Sequence, residues 1–156
     1  MSGYSLNIGP SPADLDEESV KWAGVLFYID EPSLKAPSGA RGHRVKILRS
    51  AAENMVAMLP GSWLGRGHSS FRDFEQIGVV EEALIMGTAV LVSGTMRPTA
   101  SLNLAAGSER MGLSFEADHC HCLDVRRSVW EISSIGSFNG IALLPNPSFR
   151  SGLWWL

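Results

Sequence analysis

Four histidines, two cysteines and one serine stand in settings that could support chemistry in this 156-residue chain. His68 lies in a glycine- and serine-rich stretch, GRGHSS, just ahead of a strand-like run, and His43 sits in a similar setting, RGHRV. His119 and His121 alternate with Cys120 and Cys122 in the string DHCHC. A tetrahedral zinc site takes ligands that converge from one side, commonly with roughly two to four residues between the members of a pair. On a strand, His119 and His121 face one way and Cys120 and Cys122 the other, and no CxxC or HxxxH pair supplies further ligands. The expectation is therefore a plain strand with cysteines packed inward and histidines at the surface, holding no metal. A His/Cys metal protein stays open as the weaker reading.

Nucleophiles narrow in the same way. Either cysteine could pair with a histidine, but neither stands at a helix start or beside a cationic patch that would lower its pKa. The GxSxG elbow of α/β-hydrolases is absent. Ser114, in MGLSFEA, remains. A serine hydroxyl attacks a carbonyl only when a histidine takes its proton and peptide N–H groups hold the oxyanion. Gly107 and Gly112 ahead of it allow backbone to approach a substrate closely. Read without further context, a serine after glycine in a strand is an ordinary structural residue.

The elements that must hold these residues are mostly strands. Residues 1–19 are polar and acidic and read as a flexible arm. Trp22–Ile29 is a short aromatic and β-branched run, a buried strand, and residues 30–42 are a Pro/Gly loop. From Ile47 to Leu59 the apolar spacing is helical, about three turns, stopped by Pro60-Gly61. Residues 61–76 read as a loop around His68. Ile77–Ile85 and Thr88–Gly94, separated by Met86-Gly87, carry a hairpin signal. A short helix follows Pro98 over residues 98–109. Gly112–His121, Ser128–Ile135 and Ile141–Leu144 are further strands, closed by Pro145-Asn146-Pro147. The apolar end, residues 151–156 with Trp154 and Trp155, either packs back or docks a partner. The predicted fold is mostly β with a few helices (α+β), an antiparallel β barrel or sandwich: one domain over residues 20–150 between the arm and the tail.

Bulk properties exclude several classes. Apolar residues make up 45% and charged residues 19%, with a net charge of −3, which fits a globular protein and gives no electrostatic footprint for nucleic acid. No run of 18 apolar residues exists to span a membrane. The N-terminus lacks the basic start and apolar middle of a signal peptide, so the expected compartment is inside a cell, with both thiols reduced. No cofactor motif is present.

Four segments in order carry a family resemblance: Gly67-His68, Gly112-Leu113-Ser114-Phe115, Trp130-Glu131-Ile132-Ser133-Ser134-Ile135 and Leu144-Pro145-Asn146-Pro147. Over about residues 22–149 the chain resembles the phage HK97-type prohead maturation proteases, which are similar in outline to the herpesvirus assemblins. The resemblance implies an assemblin-like fold and a serine endopeptidase with Ser114 as nucleophile and His68 as general base. For the third member it implies Glu131, an acid in an otherwise apolar run that calls for a partner; His119 or His121 is the rival, as in a Ser-His-His variant. Arg126 or Arg127 could help position the oxyanion donors. Implied partners are phage scaffold and major capsid protein within an assembling procapsid in the host cytoplasm, with a homo-oligomer possible and self-cleavage in the acidic arm. The chain is short for that family, which leaves open whether a C-terminal scaffold segment is missing. The chain departs from the family pattern at several places: Ser69 follows the histidine where an acid is common, Glu116-Ala117 stand where Ser-hydrophobic-Gly-Phe has Gly-Phe, the closing motif lacks its alanine, and SFNG comes between Ile135 and the final strand. The alternative is a non-catalytic β-barrel protein of the phage particle or its scaffold.

Overall fold

The chain alternates short apolar runs with glycine-punctuated turns, and in the computed structural model nearly every run becomes a strand of a single sheet. The described residues are 19–69, 72, 74–107 and 110–155; the acidic arm up to residue 18, with its expected self-cleavage, lies outside them, as does Leu156. The elements are β1 (Val20–Tyr28), β2 (Arg44–Ile47), α1 (Arg49–Met58), β3 (Trp63–Arg66), β4 (Glu75–Met86), β5 (Ala89–Met96), α2 (Pro98–Ala106), β6 (Gly112–Cys122), β7 (Val129–Leu144) and β8 (Gly152–Trp155). The architecture is mostly β, and the eight strands curl into a half-barrel ordered β2-β7-β3-β4-β5-β1-β8, with β6 on the other edge of β7.

The organising element is β7. The sequence suggests two strands interrupted by SFNG, but one strand of 16 residues runs through. A bulge absorbs the interruption: Glu116 pairs with Gly140 and Ala117 with Phe138, leaving Asn139 as the extra residue. Antiparallel β6 occupies one edge of β7. The other edge takes β2 at residues 129–132 and β3 at 140–143, both parallel. The sheet is thus mixed rather than wholly antiparallel. The cause is α1, which carries the chain along β7 so that β2 and β3 enter the same edge in the same direction.

Between those two short strands, α1 satisfies the edge of β7 directly. Ser50 Oγ donates to Ser133 O at 2.6 Å and Ile135 N donates to Asn54 Oδ1 at 3.3 Å. The opposite side of α1 buries Ala51, Ala52 and Met55 completely. They join Leu26, Phe27, Leu64, Val90, Leu113 and Ile141 in the core, where each large side chain contributes about 1.5–3 kcal/mol by leaving water.

The hairpin predicted around Met86-Gly87 is present, longer at both ends, with Gly87 at a φ of 62° where a side chain is disfavoured. The tail packs back: β8 adds to β1, pairing Trp155 with Trp22. Ser151, just before β8, accepts a hydrogen bond from Leu113 N at 3.0 Å, so the β1–β8 edge returns to β6 and the sheet nearly closes. No helix among the described residues is long and apolar enough to cross a membrane.

Candidate active site

Alternation along β6 sorts its residues onto two faces. Leu113 and Phe115 point to the core, where the Phe115 ring meets Phe27 at 5.4 Å and Phe149 at 5.2 Å. Ser114 and Glu116 therefore share the opposite face, two residues or about 6.7 Å apart along the strand. Cross-strand pairing extends that face over three strands. Ser114 lies beside Ala142, which lies beside Gly65; Glu116 lies beside Gly140, which lies beside Trp63.

This face is covered. Ala142 is fully buried yet stands apart from the main core cluster. The Trp63 indole lies on Gly140, and the Phe74 ring lies on Gly65, with the two ring centroids 4.9 Å apart. A methyl on Gly65 would overlap Phe74 Cε1. That requirement explains a glycine inside a strand, and why WLGR reads as loop in the sequence.

At the end of β3, Gly67 N donates to Leu143 O at 3.3 Å, and Gly67 takes a φ of 75°, open to glycine and strained for most other residues. The chain turns there and delivers His68 to β6. His68 Nδ1 stands 2.9 Å from Glu116 Oε2. Ser69 N donates to the same oxygen at 2.7 Å, and Ser69 Oγ donates to Glu116 Oε1 at 2.7 Å. The carboxylate side chain is only 15% exposed and the imidazole 26%, so the His68–Glu116 bond is partly shielded from competing water, while the two bonds from Ser69 lie on the exposed side. A carboxylate can only accept, so the imidazole donates from Nδ1 to Glu116.

The structure thus brings His68 to the β6 face that bears Ser114, through Glu116. Glu131 goes elsewhere. It sits near the start of β7, whereas Ser114 pairs near its end, and β2 places Lys46 opposite it. The Glu131 carboxylate meets Lys46 Nζ at 3.4 Å and Arg127 at 3.5 Å. Lys46 also meets Asp30 at 3.1 Å, and Asp30 first, then Glu131, hold its pKa up. The acid in an apolar strand does have its partner, and the partner is a lysine. Arg126 pairs with Asp124 at 3.0 Å in the same region.

His119 and His121 are exposed at the distal end of β6, and so is Cys120, contrary to the expected inward packing of both cysteines; Cys122 alone packs against the core. His119 takes a left-handed φ of 57°, which breaks the alternation that the inward reading assumes. Although Cys120 as a residue is exposed, lost hydration around its thiol and the nearby Asp118 carboxylate push its pKa up, opposite to what a nucleophile needs. No group of three or more potential metal ligands occurs among the described residues. His43 stacks on Trp130 with centroids 4.7 Å apart and donates from Nδ1 to Ser128 O, 3.2 Å away.

Comparison with models of known protein families, with characterised proteins and with solved structures finds no match to this chain.

Two site residues, Glu116 and Ser69, escape the sequence reading. The signal for Glu116 was present in the Ser-x-Glu spacing, which puts both side chains on one face of any strand. Nothing in the sequence marks Ser69 except its place after the histidine.

Proposed function

We propose that this protein is a serine endopeptidase whose triad is Ser114, His68 and Glu116. One observation carries the reading: an imidazole delivered from a distant loop is bonded through Nδ1 to a carboxylate that shares a strand face with a serine. In the reaction Ser114 Oγ attacks the scissile carbonyl carbon while His68 Nε2 takes its proton. The tetrahedral oxyanion collapses, the C–N bond breaks, and His68 returns the proton to the leaving amine. A water, deprotonated by the same nitrogen, then cleaves the acyl-enzyme and regenerates Ser114. Glu116 holds the ring in one tautomer and stabilises its charged form. Ser69 holds Glu116.

The resemblance to prohead proteases supplies the substrate class: scaffold and capsid protein of a phage procapsid, in the host cytoplasm. A curled, mostly β sheet is compatible with an assemblin-like fold. In place of Glu131, His119 and His121, the proposal takes Glu116 as the orienting group, because its carboxylate lies within hydrogen-bond distance of His68 Nδ1.

Labelling with a fluorophosphonate tests the proposal. A single adduct on Ser114, lost in Ser114→Ala and His68→Ala with folding unchanged, is expected, together with cleavage of procapsid protein. No adduct and no cleavage would sink the enzyme and leave a non-catalytic binding protein of the particle.

A further inference from the structure

Glycine at position 140 is unusual for the middle of a long strand, since it packs nothing and weakens the strand. Here its bare Cα carries the Trp63 indole. A methyl on Gly140 would overlap Trp63 Cδ2 and Cε2 and stand 2.6 Å from Cε3. Those are atoms of a rigid ring that packs edge-on against Phe74, so the added methyl must displace the indole. Gly140 is also the direct cross-strand neighbour of Glu116. Side chains at such paired positions stand about 5 Å apart, so the indole seated on Gly140 flanks the Glu116 position on its β3 side. An apolar ring there removes water from the flank of the His68–Glu116 bond, where water would compete for the carboxylate and weaken the hydrogen bond.

We infer that Trp63 is a positioning residue: seated on Gly140, it screens the Glu116–His68 hydrogen bond from solvent and so holds the imidazole in the orientation and tautomer of a general base. The inference rests on the triad reading for its catalytic consequence, but its physical content concerns one proton, the Nδ1–H of His68. Trp63 touches neither substrate nor the reacting atoms; it acts through Glu116.

The experiment follows that proton by NMR in the full chain. A downfield Nδ1–H resonance is expected, absent in His68→Ala, exchanging slowly with water. Gly140→Ala, which adds a single methyl and displaces the indole, should broaden it into the solvent signal, and so should Trp63→Ala. Trp63→Phe, which keeps an apolar ring over Gly140, should retain it. Amide spectra of each variant establish that the sheet is intact, and Gly140→Ala carries the test if Trp63→Ala fails to fold. The fluorophosphonate reaction should slow on the order of a hundredfold in Gly140→Ala, the scale for misplacing a catalytic group by about 1 Å. A missing resonance in the parent chain, or one unchanged in a folded Gly140→Ala, overturns the inference. The two readings fail separately. An unlabelled Ser114 with a proton whose protection depends on Trp63 sinks only the hydrolase; a labelled Ser114 with a proton indifferent to Trp63 sinks only the screen.

Discussion

The same two strands, β6 and β7, hold two regions rich in reactive side chains, and the regions differ in almost every physical respect. At the end nearer the chain turn of Gly67, pairing from Gly112↔Leu144 to Glu116↔Gly140 is regular, one face rests on the core, and the other is roofed by Trp63 and Phe74. From Glu116 onward the pairing loosens, with one register shift directly after Glu116, a second between His121 and Cys122 and a left-handed histidine between them, and His119, Cys120 and His121 face solvent. The distal end has the greater density of chemically versatile residues. The near end has the arrangement. A working site needs its groups held by their surroundings against a chosen partner, and the covered end holds His68 against Glu116 in that way.

The comparison breaks most clearly at the two glutamates. Glu116→Ala should slow labelling of Ser114 by roughly a thousandfold or more, the scale on which a histidine loses its orienting acid. Glu131→Ala, at the other end of β7, should change that rate less than about twofold while releasing Lys46, whose partner Asp30 remains. Equal effects in a kinetic assay would erase the distinction between the two ends.

Stability should follow the same division. Leu113→Ala removes a fully buried side chain directly before the serine and should cost about 2–5 kcal/mol in urea unfolding. His121→Ala, exposed at the distal end, should stay within about 0.5 kcal/mol. A smaller effect belongs to Ser69→Ala. It removes the bond to Glu116 Oε1 but leaves the backbone bond to Oε2, and labelling should slow about tenfold, equivalent to about 1.4 kcal/mol. The smallest concerns the Cys120 thiol. Its raised pKa means a lower thiolate fraction at any given pH. Alkylation by iodoacetamide near neutral pH should therefore be slower in the folded chain than in urea, and its rate should climb with pH through a midpoint above that of an ordinary cysteine. A faster folded thiol would make the distal end a reactive site after all.

Much of the frame was legible in the residues. The helix ending at Pro60-Gly61, the β4–β5 hairpin at Gly87, the helix after Pro98 and the strand carrying Ser114 all follow from local pattern, because periodicity and turn chemistry act over a few residues. What escaped depends on partners far along the chain. WLGR is too short and too glycine-rich to read as β3; it is a strand because β7 offers it a parallel edge and Phe74 needs Gly65 bare. SFNG reads as a break because a bulge has no local signature. The candidate site divides the same way. Ser114 and His68 are visible as types in settings, whereas the choice of acid depends on which carboxylate the fold gives to a lysine and which to the histidine. Two of the positions that depart from the prohead-protease pattern, Ser69 and Glu116, bond each other, a relation no linear reading contains.

The antiparallel pairing of Trp22 with Trp155 sets the beginning of β1 beside the end of β8. A linker of about two to five residues, the length that joins hairpin strands, would connect residue 155 to residue 20 without disturbing any pairing. Opening the chain at the exposed Gly87 turn would then yield a circular permutant in which β5 is translated first and β4 last. Such a rearranged polypeptide would retain His68, Ser114 and Glu116 in their present surroundings while reversing the order in which the ribosome delivers the serine and the histidine.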